Sequence, residues 1–312
     1  MPKLDFLELL CHIGRCQFSF LVYLYLVQWI HLLRQDQSVQ VRYFLESFCF
    51  SVSVDSQPEL YEDLVHYFKY ASSAYSLVCP RPNGKTLVTP FTNLGGDIQG
   101  YVARDDGRRE IIVAFRGSSS ITAFIADAQV ILVPFVAPGV SVSAGVRVHT
   151  GFLLSWNSIA QEILMIISRQ VKLHPEYTIV TSGHSLGGVL ALFGAITLKQ
   201  KYPDQTVKTY SYGAPRAGNK DFAMFVNEMF GRNAYRVVHG NDGVPTIIPI
   251  ALGYHHHGIE YWQYTHPISE ETTRACASDG EDPTCSACIP SRGINPAHWT
   301  YFGILATRPF CL

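Results

Sequence analysis

Charge is scarce in this chain. Only 16% of its 312 residues are Asp, Glu, Lys or Arg, and 24 basic residues against 25 acidic ones leave a net charge of −1. Without a basic excess there is nothing to neutralise a phosphate backbone, which excludes nucleic acid as the main partner. No glycine period, heptad array or longer internal repeat is present, so collagen-like, coiled-coil and solenoid architectures are also excluded. No Asn is followed two positions on by Ser or Thr, so an N-glycosylation sequon is missing. What the chain does have is 47% hydrophobic and 12% aromatic residues, too many for a disordered polymer. At this length a domain buries a sizeable core without needing metal or disulfide staples.

Eight cysteines lie at 11, 16, 49, 79, 276, 285, 288 and 311. Cys285-Ser-Ala-Cys288 is a C-x-x-C, but it lacks the second pair of a zinc site and the strand–helix setting of a redox pair. Structural disulfides in an oxidising compartment are therefore expected, with no metal. Residues 1–57 differ in composition from the rest. Phe18 to Leu33 is almost wholly apolar, with Arg15 before it and Arg34 after it. The uninterrupted stretch Phe20 to Val27 has the length of a secretory-signal core, which makes export the first reading. A membrane anchor is the second and a misplaced chain start the third, since Asp5 and Glu8 are atypical of a signal.

From residue 58 to 312 the pattern is that of one domain. Pro58 followed by acidic residues reads as a helix start. Strands are expected at 110–115, 177–182, 207–212 and 235–239, and helices at 152–171, 186–198 and 221–230. Strands alternating with helices imply a mainly parallel sheet covered on both faces, with chemistry at the strand ends.

Between the second of these strands and the helix after it stands Gly183-His184-Ser185-Leu186-Gly187-Gly188, a G-x-S-x-G in a strand–turn–helix setting. A phosphate-binding loop is the competing reading, and it fails because no Lys follows the second glycine. The turn projects the Ser185 hydroxyl at the positive end of a helix. A serine hydroxyl needs a base and an orienting acid, which in this arrangement follow in the order acid, then His. Asp242, just past the 235–239 strand, fits the acid. Asp221 opens a helix, Glu260 lies in an aromatic stretch, and Asp279, Glu281 and Asp282 occupy a solvated loop. The base is open among His255, His256, His257, His266 and His298. Three adjacent histidines point in different directions, so 255–257 is a poor metal site.

The ordered set Phe115-Arg116-Gly117-Ser118, His149-Thr150-Gly151-Phe152, Gly183 to Gly188, Tyr212-Gly213-Ala214-Pro215-Arg216-Ala217-Gly218-Asn219, Asn241-Asp242 and Ala297-His298 resembles the fungal class 3 lipase family. That family includes filamentous-fungal triacylglycerol lipases and feruloyl esterase relatives, and the likeness runs from about Pro58 to Leu312. It implies an α/β-hydrolase fold with a nucleophile elbow. It further implies Ser185 as nucleophile, Asp242 as acid, His298 as base, and Ser118 and Leu186 as oxyanion-hole residues, with no cofactor. His256 matches a structural histidine of the family. Cys79 with Cys311, and Cys276 with Cys285, match its disulfides, while the pairing of Cys11, Cys16, Cys49 and Cys288 stays open. Gly243 stands where relatives often carry a larger apolar residue, so a looser acid loop is expected.

After the oxyanion residue, Ile121, Phe124, Ile125 and Ala128 recur at helical spacing, one apolar stripe on about two turns. A core helix would show the same stripe. In the resemblance this segment takes the place of the lipase lid, whereas feruloyl esterase relatives are more polar there. The expected function is therefore hydrolysis of acylglycerols at a lipid–water interface. An esterase for soluble aromatic esters is the alternative, and a non-catalytic binding scaffold the third.

Overall fold

The computed structural model describes residues 58–118, 130–289 and 293–312, which leaves the N-terminal hydrophobic segment and the lid stripe of Ile121, Phe124 and Ile125 outside the described residues. Helix α1 (Pro58–Ser73) opens the described chain and carries Glu59 in its first turn, where an acidic side chain favours the positive helix end. Among the described residues the main sheet has eight strands in chain order. They are β1 (Thr86–Asn93), β2 (Ile98–Asp105), β3 (Glu110–Phe115), β4 (Thr178–His184), β5 (Val207–Tyr212), β6 (Ala234–His239), β7 (Glu260–Gln263) and β8 (Thr273–Ala275). Strands β3 to β7 are mutually parallel, while β1 and β2 at one edge and β8 at the other run antiparallel.

The crossovers are α2 (Thr150–Leu173), α3 (Leu186–Lys201) and α4 (Lys220–Phe230). Every residue of β3 is buried, and its side chains alternate between two cores. Ile111, Val113 and Phe115 face the cluster that contains α2, α3 and α4. Ile112 and Ala114 face the cluster that contains α1 and Tyr301. This period of two is what a strand covered on both faces requires. Helix α3 is apolar all round, with Leu186 through Leu198 buried, so it packs at the centre rather than at the surface. Each fully buried Leu, Ile or Phe contributes roughly 1.5–3 kcal/mol by leaving water.

The expected strands at 110–115 and 207–212 have those bounds. The elbow strand runs two residues further than expected, to His184, because Gly183 and His184 still pair with Ser211 and Tyr212 of β5. Strands β1, β2, β7 and β8 carry no clear period in the sequence. Pro90 and Gly100 interrupt the first two, and Glu260 and Gln263 mark the ends of the third. A small antiparallel sheet joins Leu132–Pro134, Arg147–His149, Gly218–Asn219 and Tyr254–His255. It holds the motif around His149, whose Nδ1 accepts from the Gly151 and Phe152 amides at 3.1 and 3.4 Å and so caps α2. Burial holds this histidine neutral, its pKa pushed down to about 4. Cys79 and Cys311 are disulfide-bonded with Cα atoms 4.7 Å apart across 232 residues of sequence, and Cys276 is bonded to Cys285. Cys288 is likewise disulfide-bonded.

Candidate active site

Ser185 stands between β4 and α3 with φ 58° and ψ −129°, a left-handed conformation that non-glycine residues rarely adopt. The two flanking glycines make the turn possible. A Cβ on Gly183 would lie 2.0 Å from the Gly187 carbonyl oxygen, and one on Gly187 would lie 2.4 Å from the Phe115 carbonyl oxygen. The Ser185 backbone amide donates to the Tyr212 carbonyl at 2.8 Å, which ties the turn to β5. Leu186 is the first residue of α3, where backbone amides have no partner within the helix.

Asp242 lies past the end of β6, as expected, and His298 sits on a short 3₁₀ turn, Pro296–Trp299, that Asn295 caps. The His298 Nδ1 lies 3.1 and 2.9 Å from the two Asp242 carboxylate oxygens. Both side chains are buried. A carboxylate accepts, so Nδ1 is the donor in this pair, and in the neutral imidazole Nε2 then keeps a lone pair. Neither His298 Nε2 nor Ser185 Oγ has a hydrogen-bond partner among the described residues, although both are buried. Buried polar atoms are normally paired, and such orphans are expected where a reacting group is to sit.

The Asp242 carboxylate has two further donors, the Tyr301 hydroxyl at 2.5 Å and the Val244 amide at 2.9 Å. Burial, then the neighbouring Asp242 charge, pushes the Tyr301 pKa well above its ordinary value, so it remains a donor. Gly213 has φ +58°, and a Cβ there would lie 2.6 Å from Asp242 Oδ2 and 3.0 Å from His298 Nδ1. The bare glycine is what lets the acid and the base meet. Around Asp242 the loop is packed rather than loose. Gly243, Val244 and Pro245 are buried, the Asp242 amide donates to the His239 carbonyl at 2.9 Å, and Thr246 donates to the Gly243 carbonyl. The looser loop expected from Gly243 is corrected on this ground.

Several contributors were not legible beforehand. His184 is buried next to the elbow and its Nε2 lies 2.8 Å from the His298 carbonyl, which can only accept. Its Nδ1 therefore accepts from the Tyr75 hydroxyl at 2.7 Å. Burial, then His298, drives its pKa well below the ordinary value, so it stays a neutral bridge from the elbow to the base. The Ser118 hydroxyl donates to Asp97 at 3.0 Å, and Arg116 pairs with the same carboxylate. Gly117 brings this segment against the elbow, since a Cβ there would lie 2.9 Å from the Cβ of Ser185.

The other histidine candidates stand apart from this cluster. His256 is buried and donates from Nε2 to the Pro245 carbonyl at 2.9 Å, and His257 bonds the Gly258 carbonyl. His255 bonds the His256 carbonyl, and His266 packs edge-on against His239. Glu260, within its aromatic stretch, is taken up in a buried ion pair with Arg236 at 2.9 Å. Glu281 is not in water: it accepts from Arg216 through both oxygens at 2.7 Å. Among the described residues, Glu260, Cys276 and Cys285 approach one another closely enough to hold a metal ion, but both thiols are consumed in a disulfide.

A family described as lipase (class 3) matches residues 112–252. A lipase from Rhizopus niveus is 34% identical over 227 residues, spanning 72% of this chain and 55% of that protein. The chain thus spans little more than half the length of that curated relative. The crystal structure of a lipase from Rhizopus microsporus var. chinensis superposes with a TM-score of 0.72 at 31% identity, covering 83% of this chain and 92% of that one. A triacylglycerol lipase whose catalytic centre is described as a serine protease triad gives a TM-score of 0.71 at 31% identity, covering 82% of this chain and 98% of that one. These neighbours share the α/β-hydrolase fold of the present sheet and helices.

Proposed function

Since the chain belongs to the class 3 lipase family, we propose that it is a serine ester hydrolase that cleaves acylglycerols through an acyl-enzyme. The observation that carries this reading is the Asp242–His298 pair, which leaves Nε2 of the neutral imidazole free to accept, together with a strained Ser185 whose hydroxyl has no partner among the described residues.

In this reading Ser185 Oγ attacks the ester carbonyl carbon while His298 Nε2 takes its proton. Asp242 holds the imidazole in the required tautomer and stabilises the imidazolium that forms. The oxygen of the tetrahedral intermediate is met by the backbone amides of Leu186 and Ser118, each such donor being worth on the order of 3 kcal/mol in the transition state. The imidazolium then gives its proton to the leaving alcohol. Water repeats the sequence on the acyl-enzyme and returns Ser185. The relative that gave the triad description is a triacylglycerol lipase, which supports acylglycerols as the substrate class. A curated relative from Fusarium solani, named a secreted mono- and diacylglycerol lipase, is 38% identical and supports export.

The apolar stripe Ile121, Phe124 and Ile125 supports action at a lipid–water interface, since a lipid surface would stabilise the state that exposes it. Hydrolysis of p-nitrophenyl butyrate by the wild type, and its loss in Ser185→Ala, tests the chemistry. Emulsified triacylglycerol against methyl ferulate tests the substrate class. Turnover of a short-chain triacylglycerol is expected to rise steeply once droplets form, and changing Phe124 and Ile125 to Ser to flatten that rise. A smooth saturation curve through the solubility limit, with preference for the ferulate, would put the aromatic esterase in its place.

A further inference from the structure

Arg216 is 3% exposed, and nothing in the acyl-transfer steps uses it. A guanidinium is costly to bury unless its donors are met, and here they are met in a particular direction. Nε and Nη2 donate to the two oxygens of Glu281 at 2.7 Å each, and Nη1 donates to the Ile248 carbonyl at 2.8 Å. Glu281 Oε1 also accepts from the His256 amide at 2.8 Å. His256 in turn donates from its ring to the Pro245 carbonyl at 2.9 Å. The segment that follows Asp242 is therefore gripped at two points, Pro245 and Ile248, by one charged cluster. Asp242 itself is tied to the start of that segment, because its Oδ1 accepts from the Val244 amide.

The far side of the cluster is anchored as well. Glu281 lies inside the ring closed by Cys276 and Cys285. Within the ring Asp282 accepts from the Ala277 and Thr284 amides at 2.9 and 2.8 Å, and Asp279 accepts from the Glu281 amide. Arg236, paired with Glu260, donates to the Gly280 carbonyl next to Glu281.

We propose that Arg216 and Glu281 are positioning residues for the reaction, a clamp that passes the rigidity of the disulfide ring to the loop carrying Asp242. This rests on the serine-hydrolase reading above. An ordinary buried ion pair would serve stability alone, and a double-mutant cycle separates the two roles. Turnover of p-nitrophenyl butyrate is measured for the wild type, Glu281→Gln, Asp242→Asn and the double variant, with enough protein to read residual rates. Glu281→Gln alone is expected to lower kcat about tenfold or more, since small misplacements of a catalytic group are that costly, with KM little changed. In the Asp242→Asn background the same substitution is expected to cost less than about twofold, because the carboxylate it positions is already gone.

Equal losses in both backgrounds overturn the clamp, as does an undiminished kcat in Glu281→Gln. Should Glu281→Gln not fold, Arg216→Lys takes its place in the cycle: it keeps the charge but loses the fork and the Ile248 bond. The underlying reading fails separately. A wild type that leaves the ester intact removes the hydrolase and the clamp together, whereas an active wild type with an indifferent Glu281 removes only the clamp.

Discussion

Tyr301 stands out among the side chains around the acid, because its hydroxyl makes a 2.5 Å bond to Asp242 from a fully buried position. Tyr301→Phe removes that donor and little volume. A hydrogen bond to a buried carboxylate is worth about 1.5–3 kcal/mol, so kcat on a soluble ester is expected to fall about tenfold or more while the fold survives. Steady-state kinetics beside a thermal melt checks this, and an unchanged kcat would show that the remaining donors hold Asp242 alone. The contributors differ in how visible they are in sequence. Ser185 follows from the elbow and Asp242 from a strand end, because the strand–turn–helix setting and the order acid, then His mark those positions. Ser118 and Leu186 come with the family resemblance. His298 needed the family resemblance, since chain order alone left five histidines. Tyr301, His184 and Asp97 act through side-chain contacts with residues from about 20 to 114 positions away, and no local pattern marks such contacts.

At the level of elements, legibility follows burial. Strands β3 and β5 are buried along nearly their whole length; β3 reads directly as a short apolar run, and β5 through Val207, Tyr210 and Tyr212. Strand β7 is equally buried but hides its nature, because Glu260 is neutralised by Arg236 and Gln263 accepts from the Phe302 amide. Polarity that is satisfied inside the protein looks like surface in a sequence. The disulfide between Cys79 and Cys311 joins the segment just after α1 to the C-terminal segment, across 232 residues. In the chain-entropy view a loop of that size contributes about 5 kcal/mol. Cys79→Ser is accordingly expected to lower the urea midpoint of unfolding substantially, with turnover at low temperature nearly kept, since neither sulfur touches the Asp242–His298 pair. A midpoint unchanged by the substitution would mean that the ends are held by packing.

For the molecule as a whole, acid is the weak point. His66, His149 and His257 are held neutral by burial, each with its pKa pushed down from 6.5 to about 4. Between those two values the unfolded chain binds more protons than the folded one, so stability falls as pH drops from about 6.5 toward 4. The expected loss at pH 5 is about 2 kcal/mol per histidine. Glu281 adds a later step: burial would raise its pKa, but Arg216 overcomes this and holds it below 4.5. Its contribution is present above that value and is lost as pH falls through the depressed one. Urea unfolding at pH 7 and pH 5 checks the first window, and equal midpoints would refute it. The bond between Cys79 and Cys311 has one more consequence. Ser118, Ser185, Leu186, Asp242 and His298 all lie between its two cysteines, so the proposed catalytic residues belong to a covalent macrocycle. A single protease cut between residues 79 and 311 opens that circle without releasing a fragment. The nicked protein is expected to run as one band on a non-reducing gel and as two after reduction, and the two pieces stay tethered for reassembly.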